Sequence, residues 1–454
     1  MLVHFSASMH RPSFRNIRRF PGSLVRSCLA FFATVFLVSG HGAELPKSAT
    51  LDDVLALATR PEQPTKENGY DVERFDALLH LGDWPKAPAE DEARIATAFN
   101  DSLHATNGNI RAAGAWGLGR RGHSEAIPTI MELGEKDPGL IGCFFQLYTH
   151  GREVEPPVEL LRRGLRSKNS DMRHAILQAI AFCKAITLRA DVEGAFESDS
   201  SDRVRDEAAT ALRLLRIPES AAAFRRVFSA GRQRANVVYG LIELGSDADV
   251  IAVLPLLKSE NEDLRRAVAG GLSAATLENP KPVCDALLEA LRDPDADVRL
   301  CAVRALGHFR EARAILPIRE LVTHPPRIIS SGERSDYVRA VAAIGGPEAI
   351  KLLDDLVQMG YREHFGVEEA LIRFASLSSG RAVWNEYLKD PIRALPDGDV
   401  DSAGYYEALN VLAACADAEL LHQIRERLSA TKDLYCERPA LEKLVRRIQA
   451  RLKK

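Results

Sequence analysis

The sequence has few of the residues from which redox, metal and haem sites are built. Seven cysteines are spread over 454 residues, and no two of them have C-x-x-C or C-x-x-C-H spacing. Zinc ribbons, thioredoxin-type redox sites and covalently bound c-type haem therefore have no support in the sequence. A P-loop, a G-x-S-x-G nucleophile elbow and an H-E-x-x-H motif are absent too. The sequence therefore lacks the motifs of three common kinds of catalytic site.

Aromatic residues are also sparse, at 6%, although hydrophobic residues make up 46% and charged residues 27% of the chain. These proportions belong to an ordinary globular protein, and they exclude a disordered acidic tail or a collagen-like chain. The length by itself corresponds to about three domains of ordinary size, unless the chain is built of repeats.

A strong excess of positive charge is absent as well. The formal net charge is −3, but residues 1–43 contain five arginines, no lysine and no acidic residue. From Glu44 onward the chain has 55 basic and 63 acidic residues, hence a formal charge of −8. A mildly acidic body does not attract a phosphate backbone or an anionic membrane. We therefore expect no nucleic-acid partner and no membrane contact beyond the N-terminal segment.

The N-terminal segment has the layout of a secretory signal peptide. An arginine-rich stretch ends at Arg26 and is followed by an apolar run to Val38 and then by small residues up to Ala43. The run is shorter than the about 20 residues that span a bilayer. We predict that residues 1–43 are a signal peptide and that the mature protein is extracytoplasmic, either periplasmic or secreted. A mitochondrial transit peptide and an uncleaved anchor are the alternatives.

The cysteines beyond this segment show no spacing typical of a disulfide framework. Most of them fall inside apolar helical patterns, so we predict small buried hydrophobic residues rather than disulfide partners or metal ligands. The six residues are Cys143, Cys183, Cys284, Cys301, Cys415 and Cys436.

The body of the chain repeats a short pattern, and its clearest copy is DADVRLCAVRALG at residues 295–307. Successive copies are separated by one or two multiples of about 31 residues until a longer last step, which indicates stacked supersecondary units. Gly142 and Arg234 stand where two further copies are expected. The arginine of the pattern recurs as Arg111, Arg173, Arg205, Arg265, Arg299 and Arg339.

Each unit is predicted to contain two helices. In the copy at residues 295–307, Asp295 can cap the free amides of a first helix, apolar residues then follow at spacings of three and four, and Gly307 is expected to end the helix. A second helix begins near Ala314, with Pro317 in its first turn, where proline is tolerated. No segment alternates like a strand over a useful length, so the fold class is all-α.

The pattern D-x-x-V-R-x-x-A-x-x-A-L-G, followed by a helix that begins A-I-P, resembles HEAT repeats of the short HEAT-like type named after the phycobilisome lyases. The resemblance implies an α-solenoid, an armadillo/HEAT-type superhelix of stacked antiparallel helix pairs. It covers residues 107–359 well and residues 360–454 weakly. It also implies structural roles, in tying neighbouring repeats together, for Arg205, Arg265, Arg299 and Arg339.

Four segments are predicted on this basis: the signal peptide at 1–43, an N-terminal helical cap at 44–106, the HEAT-like array at 107–359, and degenerate repeats with a C-terminal capping helix at 360–454. In the cap, Thr50 and Asp53 have the spacing of a capping box. The basic amphipathic stretch 441–454 is expected to cap the array rather than lie on a membrane.

The remaining motifs have structural interpretations. GLGRRG at residues 117–122 matches the dinucleotide-binding pattern G-x-G-x-x-G, but it follows a helix instead of a strand, so we interpret it as the turn between two helices of one repeat. Some HEAT-like proteins bind iron through His-Glu dipeptides, and this sequence has none. We predict no catalytic residue, metal site or cofactor. The histidines that fall at scattered registers of the repeat are His80, His104, His123, His150 and His174.

The leading interpretation is an exported, non-catalytic HEAT-repeat scaffold that binds another protein through its solenoid surface, because repeats present extended surfaces for binding. Two alternatives stay open. One is a chromophore-related lyase or oxidoreductase, implied by the phycobilisome-lyase type of repeat. The other is an assembly factor of an envelope complex.

Overall fold

A computed structural model describes residues 49–63, 71–324 and 331–358, together with residues 418, 421–422, 425–426 and 437–452. The predicted signal segment 1–43, Cys415, Cys436 and most of residues 360–436 lie outside the described residues. The described part is helical and contains no strand, which confirms the predicted all-α, solenoid-type fold class. No helix in this part is long and apolar enough to cross a bilayer.

The chain divides into two compact units, Met1–Ala223 and Phe224–Lys454. The division into 44–106, 107–359 and 360–454 made from the sequence stays a prediction. In the first unit the helices are α1 Leu51–Thr59, α2 Val72–Gly82, α3 Ala89–Ser102, α4 Gly108–Arg121, α5 Ile127–Leu133, α6 Gly139–Tyr148, α7 Val158–Leu165, α8 Ser170–Phe182, α9 Arg189–Ser198 and α10 Asp202–Leu215.

Helix α11, Ala221–Ser229, begins at the end of the first unit. The later helices are α12 Ala235–Leu244, α13 Asp247–Val253, α14 Glu262–Leu272, α15 Lys281–Ala290, α16 Ala296–His308, α17 Ile315–Thr323, α18 Ser331–Ile344, α19 Pro347–Gln358 and α20 Glu437–Leu452. The predicted C-terminal amphipathic stretch is therefore helical as far as it is described.

The helices alternate between two layers within each unit. The even-numbered helices α4 to α10 pack side by side in the first unit, as α12 to α18 do in the second, and we call them the first helices of the repeats. The odd-numbered helices between them form the second layer. Between the layers lie fully buried side chains such as Ile110, Leu118 and Phe144, each of which stabilises the stack by about 2 kcal/mol through burial.

Several first helices begin with an N-cap side chain that accepts a hydrogen bond from the backbone. Asn107, Asn169 and Asn261 each accept a hydrogen bond from the backbone N–H two residues later, and Asp295 accepts one from the N–H of Val298 at 2.9 Å. These caps satisfy backbone amides that a helix start leaves free.

At the other end, several first helices are followed by one residue in the left-handed conformation and then a 3₁₀ turn into the second helix. The residue is Gly122, Lys184, Arg216 or Arg310, with φ of 85°, 51°, 52° and 54°. Reversing the chain at this point makes the two helices of a repeat antiparallel.

An arginine–aspartate ladder joins neighbouring repeats. Nε and Nη2 of Arg173 donate to the two carboxylate oxygens of Asp199 at 2.7 and 2.8 Å, and its Nη1 donates to the carbonyl of Ser167 at 2.8 Å. Arg111 with Asp137 and Arg265 with Asp293 form the same rung. Each arginine stands at the fourth residue of a first helix, and each aspartate precedes the next first helix.

The other arginines of the pattern also lie in structural networks. Arg299 donates to the carbonyls of Asp293 and Pro294, and Arg205 donates to the carbonyl of Asp199. Arg339 shares the carboxylate of Asp336 with Arg304, which links α16 to α18. The structural role that the resemblance implied therefore holds for Arg205, Arg265 and Arg299, whereas the contact of Arg339 is with Asp336 of its own helix.

Three expectations from the sequence are wrong in detail. Helix α16 continues to His308, past Gly307, whose lack of a side chain lets α18 approach: a Cβ there would lie 2.7 Å from the Cα of Ala340. Arg234 is an N-cap residue of α12, and the fourth residue of that helix is Val238. Gly117 and Gly119 lie inside α4 rather than in a turn, and only Gly122 ends the helix.

The N-terminal helices contact the first repeat. Thr50 and Asp53 form the predicted capping box, with the Thr50 N–H donating to the Asp53 carboxylate at 2.9 Å. Helices α2 and α3 both pack on α4. Phe99 of α3 is fully buried there, because Gly117 leaves room for its ring.

Candidate functional site

A half-open pocket of 440 Å³ lies on the layer of first helices in the first unit. Its lining comes from α4, α6, α8 and α10, and therefore from four consecutive repeats. Its volume is within the range of about 300 to 1,000 Å³ that is typical of ligand pockets.

Aromatic and aliphatic side chains form the walls of this pocket. Trp116 of α4 lies against the backbone of α2, since a Cβ built on Gly82 would meet three ring carbons of Trp116 within 2.0 to 3.0 Å. Glycine at this position lets the indole lie across α2 and remain part of the pocket wall. Leu147 and Phe182 complete the apolar part of the lining.

The pocket opens where a rung of the ladder is missing. Gly142 is the fourth residue of α6, where α4, α8, α10, α14 and α16 have arginine. The place of the opposing aspartate is taken by Ser167, six residues before Arg173. A Cβ added at Gly142 would meet nothing closer than the Oε1 of Gln178, 3.8 Å away. Space that an arginine would occupy is therefore open.

Behind the lining residues His174 and Gln178 lies the buried carboxyl of Glu207. Nδ1 of His174 on α8 lies 3.7 Å from Oε2 of Glu207 on α10, and Nε2 of His174 lies 3.3 Å from Nε2 of Gln178. Since the amide nitrogen of Gln178 is a donor, His174 accepts at Nε2 and its ring proton is assigned to Nδ1. The side chain of Glu207 is 3% exposed, and its Oε1 has no hydrogen-bond partner.

Burial shifts both titrating groups toward their neutral forms. Burial, helped by the charge of Arg203, lowers the pKa of His174 to about 4. Burial raises the pKa of Glu207 to about 7, against the opposing effects of Arg203 and of a hydrogen bond from Gln178. Removing a charge from water without a close partner disfavours the charged form in both cases.

The rim of the pocket carries an ion pair. Nη1 of Arg203 lies 2.6 Å from Oδ1 of Asp171, and the two side chains are 61% and 60% exposed. A pair this exposed contributes between nothing and about 1 kcal/mol to stability. The two charges partly offset one another, and the carboxyl of Glu207 adds a negative charge behind the pocket when it is ionised.

The residues of this site occupy recurring positions in the repeats, and these positions can be read from the sequence. Cys143 and His174 each follow the fourth residue of their first helix, and Asp171 and Arg203 each precede it by two. Aligning the repeats on the fourth residue therefore places these side chains on one face. The prediction from the sequence missed this, because it treated His174 only as one of several scattered histidines.

The described residues give no support for a metal site. No group of three or more His, Cys, Asp or Glu side chains in that part of the chain is placed to hold a metal ion. Cys183 and Cys284 are buried, as predicted, and burial raises the pKa of their thiols to about 12 and about 11. Cys143 and Cys301 are partly exposed.

Family comparisons support the repeat assignment. A model of HEAT repeats matches residues 250–334 and 284–364, and a model of the PBS lyase HEAT-like repeat matches residues 110–133. The matched residues therefore contain HEAT repeats, one of them of the phycobilisome-lyase type, as the resemblance predicted. A search of curated proteins found no significant match.

Solved structures with a similar architecture include large helical repeat proteins. A Kap121p mutant is 13% identical, with a TM-score of 0.46 over 94% of this chain and 52% of that one. The chain thus spans about half the length of Kap121p. Kap95p, from a structure with RanGDP, is 13% identical, with a TM-score of 0.44 over 95% of this chain and 66% of that one.

The complex of CpcE and CpcF of phycocyanin lyase from Nostoc sp. PCC7120 is similar at 14% identity. The TM-score is 0.34, over 61% of this chain and 96% of that one. At these values the likenesses concern architecture alone and give no information on function.

Proposed function

We propose that the chain is an exported, non-catalytic HEAT-repeat scaffold that binds another protein through the first helices of residues 108–215. The observation that carries the proposal is the half-open pocket across four consecutive repeats. A site assembled from four repeats belongs to the stacked surface rather than to one helix pair, which is how repeat proteins commonly bind macromolecules.

The composition of the pocket supports a protein as the ligand. An indole and a phenyl ring provide apolar area, while Gln178 and the rim pair of Asp171 and Arg203 provide hydrogen-bonding groups. Aromatic side chains beside a polar rim are typical of the centres of protein interfaces. The half-open form suits a segment that remains attached to a larger partner.

Export rests on the sequence of residues 1–43, with its basic leader, short apolar run and small residues. N-terminal sequencing of the protein recovered from the extracytoplasmic fraction tests it. We expect a new terminus close to Ala43, and a full-length chain confined to the cytoplasm would contradict export.

Binding is tested with a variant that fills the pocket. Gly142→Leu places a side chain in open space on α6, so it should block the pocket without disturbing the core. Cross-linking and capture from the extracytoplasmic fraction should recover a partner with the wild type, cross-linked to residues 108–215, and lose it with Gly142→Leu. Capture that is the same for both proteins, or no partner with either, would refute the proposal.

A chromophore-related activity is the second candidate. The observation that favours it is that Trp116 in the pocket wall belongs to the phycobilisome-lyase-type repeat at residues 110–133. Absorbance of the purified protein above about 350 nm that Gly142→Leu removes would favour this candidate, because aromatic residues by themselves absorb at shorter wavelengths. Colourless protein that captures a protein partner would favour the scaffold.

A further inference from the structure

The pocket presents hydrogen-bond acceptors to whatever enters it. Oε1 of Gln178 lies over the backbone of Gly142, facing α6 across the pocket. The amide nitrogen of the same side chain is turned toward His174. An entering group would therefore meet an acceptor at the floor, and it must supply the donor.

Behind this floor lies a buried carboxyl with an unsatisfied oxygen. Glu207 is 97% buried as a side chain, contacts His174 and Gln178, and leaves its Oε1 without a hydrogen bond. An unsatisfied buried carboxyl is unfavourable, and a cation bound close to it offsets part of that cost.

Of the other charged groups, Arg203 opposes a cation, because its charge acts on both His174 and Glu207. Its ion pair with Asp171 at the rim offsets part of that effect. His174 accepts rather than donates at the nitrogen next to Gln178. A planar cation with several donors fits this environment, since it can stack on Trp116 while it donates to Gln178.

We propose that the pocket of Trp116, Gly142 and Gln178, which lies in front of the buried Glu207, receives an arginine side chain of the protein partner. This inference rests on the proposed function, and it adds the chemistry of the group that the partner inserts. Arginine suits the site better than lysine, because a guanidinium is planar, stacks on indole and donates in several directions.

The probe is a blocked tripeptide, acetyl-Ala-Arg-Ala-amide, titrated against the full chain by calorimetry or NMR at about pH 8, where a carboxyl with a raised pKa is ionised. The citrulline analogue has the same shape and donors without the charge. We expect the arginine peptide to bind about fivefold more tightly than the citrulline peptide, because a cation–π contact and an opposite charge contribute about 1 kcal/mol. The lysine analogue should bind more weakly than the arginine peptide.

Two variants assign the effect to the pocket. Glu207→Gln should remove the preference for arginine over citrulline while circular dichroism confirms folding, and Gly142→Leu should abolish binding of both peptides. Glu262→Gln is the matched control, a carboxylate-to-amide change on an exposed first-helix position of the second unit. It should change neither affinity.

Equal affinities for the arginine and citrulline peptides, no binding of either, or an unchanged preference in Glu207→Gln would each overturn the inference. These results are distinct from failure of the proposed function. A partner captured by the wild type and by Glu207→Gln, but not by Gly142→Leu, keeps the scaffold function and removes arginine. Failure of wild-type capture removes the function itself.

Discussion

His174 and Glu207 should make opposite contributions to the pH dependence of stability. The pKa of His174 falls from 6.5 to about 4 on folding. Between these values the unfolded chain holds a proton that the folded chain lacks, so the free energy of unfolding rises with pH. The pKa of Glu207 rises from 4.5 to about 7. Here the folded chain holds the extra proton, so this contribution is full below pH 4.5 and is lost as pH rises to about 7.

The two slopes have the same size, about 1.4 kcal/mol per pH unit, and they overlap between the two ranges. In the wild type they cancel over most of this interval. Glu207→Gln removes one slope, and its free energy of unfolding should drop by up to about 3 kcal/mol as the pH falls from near 6.5 to near 4.5, relative to the wild type. His174→Gln should show the reverse, a loss of similar size as pH rises.

Urea denaturation followed by circular dichroism at several pH values measures these differences. With slopes of about 1–3 kcal/mol per molar urea, a change of about 3 kcal/mol moves the midpoint by about 1–3 M. Subtracting the wild-type curve removes the titration of all other groups, and the double variant should again be nearly flat. Curves for both single variants that run parallel to the wild type would refute the assignment of neutral forms to the buried pair.

Three further predictions concern the packing of the repeats. Arg173→Ala leaves the carboxylate of Asp199, which is 9% exposed, without its partner, and should lower the free energy of unfolding by about 3 kcal/mol in urea denaturation; a loss below about 1 kcal/mol would contradict the ladder as a tie between repeats. Gly119→Ala puts a Cβ 2.3 Å from the carbonyl oxygen of Phe144 and should destabilise by about 3 kcal/mol. Its control Gly194→Ala, in an open part of α9, should stabilise by up to about 1 kcal/mol in thermal melts. Lys184→Gly relieves a left-handed residue with φ of 51° and should stabilise by about 1 kcal/mol, so a lower melting temperature would show that the lysine side chain matters more than the backbone.

Much of the fold could be predicted from the sequence. The caps at Thr50 and Asp295 and the proline in the first turn of second helices are local features, decided within one turn of helix, and the structure confirms the caps. The structural role of Arg265 was implied by the resemblance to HEAT repeats, and its bond to Asp293 confirms that role.

The predictions from the sequence are wrong where packing between helices determines the role of a glycine. Gly307, Gly117 and Gly119 look like helix ends in the sequence, because glycine is common there. In the structure each lies within a helix and lets a neighbouring helix or ring approach. A sequence does not distinguish a glycine that ends a helix from one that permits close contact.

The sequence by itself determined the helices and their period, because these depend on spacing along the chain, and the resemblance to HEAT repeats implied which arginines tie one repeat to the next. Only the tertiary structure decided that the missing rung at Gly142 opens a pocket, that Trp116 and Gln178 line it, and that Glu207 is buried behind them. The physical reason is that side chains from helices about 30 residues apart become neighbours only when the repeats stack. Whether a gap between them stays open depends on the volumes and charges on both sides.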